Sequence, residues 1–166
     1  MYLKKILTLL FLITFAFQAN ANTPKSTGKY KNWESFSIQT EKGKICFAQS
    51  LPVKRAPTSI KRDGSRIFVT FRPGDNVRDE VSVTSGHSYK TSTVTAKSGK
   101  NDFSLFSQDN YAWLLDEKEE QGFIKIMKKA TNLIIVARTT KGAETTDHYS
   151  MMGFTKAYNT AKKTCR

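Results

Sequence analysis

The stretch TTDHYSMMGF, residues 145–154, places an aspartate, a histidine and a serine within four positions of one another. On a β-strand, alternation puts His148 and Ser150 on one face and Asp147 on the other. Two residues of the same face are about 6 to 7 Å apart along a strand, whereas a nucleophile and its base lie within about 3 Å. No glycine-flanked turn of the kind that exposes a nucleophilic serine surrounds Ser150. The stretch therefore predicts a strand and not a local catalytic triad.

A helix is predicted directly after this strand, because the spacing of the apolar residues changes at Gly153. The apolar positions that follow are spaced i, i+3, i+4 and i+7, which indicates a helix with one buried face; they are Phe154, Ala157, Tyr158 and Ala161. Cys165 follows Phe154 by close to three whole turns, so it lies on the same face. The chain should thus end in a helix that carries a buried cysteine.

The first residues, MYLKKILTLLFLITFAFQANAN, predict a secretory signal peptide over residues 1–21. Two lysines precede an apolar run from Ile6 to Phe17, and the small residues Ala19 and Ala21 mark a cleavage site. A membrane anchor is the alternative, but it needs roughly 18 or more apolar residues, and this run is shorter. The mature protein is therefore expected to be periplasmic or secreted, with no membrane span after cleavage.

Cys46 and Cys165 are the two cysteines of the chain. An even pair in an exported protein favours a disulfide bond over two free thiols, and the buried position predicted for Cys165 favours it further. The bond would close a loop of nearly the whole domain, to which loop-closure entropy assigns roughly 4 to 5 kcal/mol of stabilisation. It would also tie the last helix to an early strand.

The chain has 166 residues and a formal net charge of +13. Residues 22–32 are polar and basic, which is typical of a flexible lead-in, and residues 33–166 suit a single folded domain. Such a charge attracts anionic surfaces, and outside the cytoplasm these are lipid headgroups, lipopolysaccharide or acidic glycans. Nucleic acid is a poor second in that compartment, and we predict none as a partner. The charge is also compatible with a role in solubility alone.

Most of the domain consists of short alternating segments, which predict a mainly β fold. The clearest segment is RIFVTFRP, residues 66–73, which ends at a proline. Residues 116–130 have helical spacing instead, and Asp116 with Glu119 fits a capping box at their start. We expect a single antiparallel β-sandwich or barrel-like domain of about eight or nine strands, with two helices of which one is C-terminal.

Basic residues surround both cysteines that are expected to pair. If the bond forms, it brings together five basic side chains: Lys42, Lys44, Lys162, Lys163 and Arg166. We predict a composite basic patch there that binds anionic groups. A solvated charged face without a specific ligand is the alternative interpretation.

No residue set in the sequence points to a particular reaction. Two histidines and two paired cysteines are too few ligands for a zinc site unless carboxylates supply the rest, and no phosphate-binding glycine loop is present. A pair of catalytic carboxylates could come from acids near strand ends, although solvated turn residues are the commoner case: Asp75, Asp79, Glu80, Asp102 and Asp109. We therefore predict no catalytic residue, no metal and no cofactor.

The two tryptophans, Trp33 and Trp113, each lie in an alternating apolar segment. Exposed rings at such positions could serve recognition, but the alternation favours the core. We predict that both are buried.

The order of these features resembles the invasion-associated locus B family of exported bacterial proteins. The most specific block is a glycine turn at Gly142, a Thr-x-Asp-x-Tyr-Ser strand at residues 145–150 and a helix start at Gly153 and Phe154. Other matching positions follow in the same order along the mature chain: Trp33, Phe36, Cys46, Phe47, Ser50, Pro52, Arg72, Pro73, Val81, Ser82, Gly86, Phe103, Leu105, Phe106, Ala112, Trp113, Ala157 and Cys165.

The resemblance implies a small β-rich envelope or secreted protein, linked in some members to entry into host cells, and it implies no catalytic residues. We expect a non-enzymatic protein whose partners are anionic cell-surface molecules or a host or envelope protein. Two alternatives stay open. One is a periplasmic structural or stress-related accessory protein with no host role. The other is a hydrolase that brings His87 or His148 to a carboxylate or serine of another strand.

Overall fold

The computed structural model describes residues 23–91 and 93–166, and these residues form eleven strands and two helices. The strands are β1 (Lys25–Tyr30), β2 (Trp33–Thr40), β3 (Gly43–Ser50), β4 (Lys54–Ala56), β5 (Arg66–Arg72), β6 (Val77–Thr84), β7 (Val94–Ser98), β8 (Asn101–Gln108), β9 (Tyr111–Trp113), β10 (Asn132–Arg138) and β11 (Glu144–Ser150). The helices are α1 (Glu117–Lys129) and α2 (Phe154–Thr164). The predicted signal peptide, residues 1–21, lies outside the described residues.

All eleven strands belong to one open antiparallel sheet in the order β1-β2-β3-β5-β6-β9-β8-β7-β10-β11-β4. This confirms a mainly β, antiparallel domain with two helices, one of them C-terminal. The strand count exceeds the expected eight or nine because three strands give little apolar signal. Strand β1 is polar, β4 is polar and has only three residues, and β7 has Ala96 and Ser98 at two of its three inward positions.

The segment 22–32, predicted to be a flexible lead-in, instead contains strand β1. This strand pairs along β2, and the Tyr30 hydroxyl lies 2.9 Å from Oγ1 of Thr160 in α2. The prediction was wrong because a polar edge strand is ordered by hydrogen bonds to its neighbour, which leave no apolar pattern in the sequence.

Helix α1 begins at the predicted cap. The carboxylate of Asp116 accepts a 2.8 Å hydrogen bond from the backbone N–H of Glu119. The Glu119 carboxylate in turn accepts one of 3.3 Å from the N–H of Leu115, one residue earlier than in a standard capping box. On the buried side of the helix, the Phe123 ring lies 4.8 Å from the ring of Phe103 in β8. Both rings face the common core.

The predicted disulfide bond joins Cys46 in β3 to Cys165, the residue directly after α2. Helix α2 packs on the inner face of the sheet, where the Phe154 ring lies 4.7 Å from the ring of Trp33. Trp33 is only 1% exposed, as predicted. The buried residues of the sheet and of both helices form one hydrophobic core.

Strand β11 carries the stretch that suggested a catalytic triad. Its residues alternate between buried and half-buried, with Asp147 facing the core and His148 and Ser150 on the other face. The Asp147 carboxylate lies 2.8 Å from the guanidinium of Arg62, and both side chains are 1% exposed. Asp147 is therefore held in a buried ion pair, away from the histidine and the serine beside it in sequence.

Candidate functional site

Four of the five predicted anion-binding residues meet at the end of α2, where the disulfide bond holds the helix against β3. Lys162, Lys163 and Arg166 belong to this end of the chain, and Lys44 reaches it from β3. The Lys44 ammonium donates a 3.3 Å hydrogen bond to the carbonyl oxygen of Thr164. Lys163 and Arg166 are exposed at the same end of the helix. The fold thus brings these basic residues to one region, as the sequence suggested.

Acidic side chains neutralise part of this region. The Lys42 ammonium lies 3.9 Å from the carboxylate of Asp75, and the Lys162 ammonium lies 3.6 Å from that of Asp79. Asp79 also accepts a 2.6 Å hydrogen bond from the hydroxyl of Tyr158. Two of the five predicted residues therefore have carboxylate neighbours, and anion binding by this patch stays a prediction.

A second surface lies on the opposite, outer face of the sheet, where β8 and β9 carry three aromatic side chains. The ring of Trp113 lies 5.5 Å from that of Phe106 and 5.9 Å from that of Tyr111, and each pair is inclined by only 29°. Phe106 is 47% exposed and Tyr111 is 39% exposed, while Trp113 is half-buried. We call these three residues the aromatic ledge.

The prediction that Trp113 lies in the core was wrong. Ala112 takes the inward position of β9 and is fully buried, so the residues on either side of it point outward. A small residue between two large aromatic residues, as in Tyr-Ala-Trp, is the sequence signal that could have revealed this.

The ledge continues across the outer face as a longer aromatic row. Ser82 in β6 is the register partner of both Trp113 and Phe68. The Phe68 ring lies 6.0 Å from that of Phe47, which lies 5.3 Å from the ring of Phe36. Rings from five strands thus follow one another along the hydrogen-bonding direction of the sheet, with Ser82 in β6 as the one break among these positions.

A groove of about 770 Å³ opens beside the ledge. It exists because β9 is short: β9 pairs with β6 only at Ser82 and Val83, and the chain then leaves the sheet toward α1. The start of β6, the end of β8 and the start of α1 therefore enclose an open space. Its lining includes Phe106 and Trp113 of the ledge together with Asn76, Arg78, Glu80, Gln108, Leu115 and Glu120.

The carboxyl group of Glu120, which lines the groove, has a raised pKa. Burial, together with the nearby carboxylates of Glu80, Asp79 and Glu117, raises the pKa of this group to about 7. A 3.1 Å hydrogen bond from the backbone N–H of Val81 acts in the opposite direction. Glu120 can therefore accept or donate a proton near neutral pH, in direct contact with the groove.

Glu80 is held in a different way. Its two carboxylate oxygens accept hydrogen bonds of 2.7 Å each from the guanidinium of Arg72. This bidentate pair fixes both side chains, and hydrogen bonding to Glu80 raises the pKa of Arg72 above its ordinary value. The wall of the groove that carries Glu80 is consequently rigid.

His87 lines a smaller depression of about 350 Å³, to which Tyr111 of the ledge also contributes. Its Nε2 lies 2.9 Å from the hydroxyl of Thr145, and its Nδ1 lies 3.0 Å from the carbonyl oxygen of Ser88. Both ring nitrogens are thus engaged by neutral oxygen atoms. Ser150, which shares a strand face with His148, accepts a 2.9 Å hydrogen bond from the Trp33 indole through its carbonyl oxygen.

Within residues 23–91 and 93–166, no group of three or more histidine, cysteine, aspartate or glutamate side chains could hold a metal ion. None of the helices in this part of the chain is long and apolar enough to cross a membrane.

Comparison of the chain with protein-family models, with curated proteins and with solved structures gives no match in any of the three. What the groove can bind therefore follows from its own residues: a wall of stacked aromatic rings, a rigid acidic wall and exposed amide and guanidinium groups along the rim.

Proposed function

We propose that this protein is an exported, non-enzymatic binding protein of the bacterial envelope or cell surface, and that the groove beside the aromatic ledge is its binding site. The ledge is the observation that carries the proposal. Two of its rings are more than a third exposed, and all three lie together beside a groove. Contiguous exposed apolar surface next to polar groups is typical of ligand and partner sites.

Two further observations support the export and the class of protein. The bond between Cys46 and Cys165 is of the kind that forms in oxidising compartments. The sequence resembles the invasion-associated locus B family, and a contribution to host-cell association is the role that we propose on that basis. The basic patch is the less favoured binding surface, because Asp75 and Asp79 lie against two of its five lysine and arginine side chains.

A cell-binding assay with two matched variants tests the proposal. The mature protein, residues 22–166, is labelled with a fluorophore and added to cultured epithelial cells and to bacterial outer-membrane vesicles. The ledge variant carries Phe106→Ala and Trp113→Ala. The patch variant carries glutamine at five positions: Lys42, Lys44, Lys162, Lys163 and Arg166. Circular dichroism and urea unfolding establish that both variants are folded.

We expect the wild-type protein and the patch variant to bind one of the two surfaces and the ledge variant to lose that binding. If the patch variant loses binding and the ledge variant keeps it, the predicted basic patch is the binding site. If the wild-type protein binds neither surface, the proposal is wrong, and a periplasmic accessory role without a surface ligand becomes the better explanation.

A further inference from the structure

We infer that the groove and the aromatic ledge bind a carbohydrate chain. This rests on the proposed function, since it names the ligand class of the same site. The chain would lie along the ledge, with one end in the groove and the other toward the depression beside Tyr111. Three features of the site lead to this ligand class: the stacking of the exposed rings, the chemistry of the polar groups and the position of the ledge between two depressions.

The stacking of the rings argues against a cage for an organic cation. Trp113 is stacked against both Phe106 and Tyr111, with centroids 5.5 and 5.9 Å apart and planes inclined by 29°, so the rings cover part of one another's faces. Rings that recognise an organic cation surround it as a cage and offer several faces to one point. The exposed parts of Phe106 and Tyr111 instead form an apolar ridge beside polar groups, and a sugar ring likewise presents C–H groups and hydroxyl groups side by side.

The polar groups around the groove suit hydroxyl groups. Asn76 and Gln108 provide amides, Arg78 provides a guanidinium and Glu120 a carboxyl group. Each of these groups is planar and has two adjacent hydrogen-bonding positions, so each can bond two neighbouring hydroxyls of one sugar. With a pKa of about 7, the Glu120 carboxyl group can serve either as donor or as acceptor to a neutral ligand.

The position of the ledge indicates an oligosaccharide in preference to a single sugar. Phe106 and Trp113 line the groove, whereas Tyr111 lines the depression of about 350 Å³ with Arg66, His87 and Asn110. The ring centroids follow one another at 5.5 and 5.9 Å. The ledge is therefore a ridge with polar pockets on both sides, and a ligand that contacts all three rings and enters both pockets must be longer than one sugar unit.

Tryptophan fluorescence provides the test. The chain has two tryptophans, and Trp33 is 1% exposed, so a change on ligand addition reports on Trp113. The mature protein is titrated with cellohexaose, chitohexaose and maltohexaose and with the matching trisaccharides, and it is applied to an array of bacterial and host glycans. We expect saturable binding of at least one hexasaccharide and weaker binding of its trisaccharide.

Variants locate the site. Phe106→Ala should weaken binding roughly tenfold, the size expected for an aromatic residue at the centre of an interface. Phe36→Ala, at the far end of the same aromatic row, is the matched control and should leave the affinity unchanged. Trp113→Phe keeps an aromatic face and should bind on the array, whereas Trp113→Ala should not.

The outcomes separate this inference from the proposed function. If no glycan binds while the ledge variant still loses cell binding, the carbohydrate inference is overturned and the proposed function stands. Binding of tetramethylammonium or trilysine in place of any glycan would overturn it in favour of an organic cation. If glycans bind but the ledge variant keeps its cell binding, the ligand class is supported and the proposed surface role fails.

Discussion

Asp147 and Arg62 form an ion pair that no solvent reaches. Besides the carboxylate, the Arg62 guanidinium donates to the carbonyl oxygens of Ser85 at 2.9 Å and of Ala56 at 3.3 Å. One arginine thus anchors the loop between β4 and β5 to β11 and to the end of β6. In the sequence, Asp147 is one of three residues that suggest catalysis, whereas in the fold its carboxylate is occupied by this arginine.

Removal of the carboxylate should destabilise the protein strongly. Asp147→Asn leaves the Arg62 charge buried without a counterion, which typically costs about 3 to 5 kcal/mol. The double variant Arg62→Met with Asp147→Leu removes both charges and should cost less than Asp147→Asn alone. Urea unfolding of the three proteins measures the difference. A double variant as unstable as the single one would show that the hydrogen bonds of Arg62 matter more than its charge.

Glu120 should make stability depend on pH in a defined window. Its folded-state pKa is about 7 against an ordinary value of 4.5, so the folded protein holds the proton more tightly than the unfolded chain does. Stability from this group therefore falls as the pH rises from about 4.5 to 7 and is constant above that. Burial of the ionised carboxylate is the main cause.

Glu120→Gln removes the titration and should gain stability over the wild-type protein as the pH rises from 5 to 8. Melting temperatures of the two proteins measured across that range give the difference, in which the contributions of other groups cancel. Glu41→Gln, at an exposed position in the turn between β2 and β3, should follow the wild-type curve. An equal offset at every pH for Glu120→Gln would contradict the raised pKa.

At the scale of elements, Gly153 decides how closely β1 approaches α2. Its φ is +98°, and a Cβ at this position would meet the carbonyl oxygen of Tyr30. The backbone N–H of Asn32 also donates to the carbonyl oxygen of Met152 at 3.2 Å. The turn before α2 is thus packed against the β1–β2 hairpin, backbone against backbone.

Substitution by alanine should distinguish this glycine from Gly142. Gly142 has a φ of +88°, but a Cβ at this position would have open space around it. Gly142→Ala should therefore lower the free energy of unfolding only by the strain of the left-handed conformation, about 1 to 2 kcal/mol. Gly153→Ala adds a backbone clash and should cost about 1 to 3 kcal/mol more. Urea unfolding measures both. Equal losses for the two variants would mean that the hairpin moves aside without cost.

The elements that the sequence predicted share a physical origin, and so do those it missed. Helix α1 and helix α2 are marked by an apolar stripe, and the strand at 66–73 is marked by alternation, so each is visible within a short window. Strand β1 is held by backbone pairing to β2, and β4 by pairing to the distant β11. Nothing within the residues of either strand reveals this pairing. Local patterns thus predict the elements that bury their own side chains.

At the scale of the whole molecule, the groove could not be read from the sequence because three separate segments form it. Asn76 and Glu80 come from β6 and the turn before it, Phe106 from β8, and Glu120 from α1. They meet because β9 ends early and leaves a gap in the sheet. The register that places Ser82 opposite both Phe68 and Trp113 likewise depends on the order of strands. The disulfide bond was the one contact between distant parts of the chain that the sequence predicted, because the chain has two cysteines.

The bond between Cys46 and Cys165 spans a sequence separation of 119, so its loss should weaken the entire fold. Loop-closure entropy predicts a loss of roughly 4 to 5 kcal/mol in the free energy of unfolding. Urea unfolding with and without dithiothreitol measures it, and a Cys46→Ala, Cys165→Ala variant should match the reduced protein and show no response to the reductant. An unchanged midpoint on reduction would show that packing of α2 alone carries this stability.

The same bond changes what a protease can do to the protein. A single cut at any peptide bond between residues 46 and 165 leaves both fragments covalently joined, because the bridge closes a ring around the cut. The exposed segment between β4 and β5 lies within that ring, and Arg62 anchors it from inside. A nicked molecule therefore keeps its aromatic ledge and groove on one covalent unit.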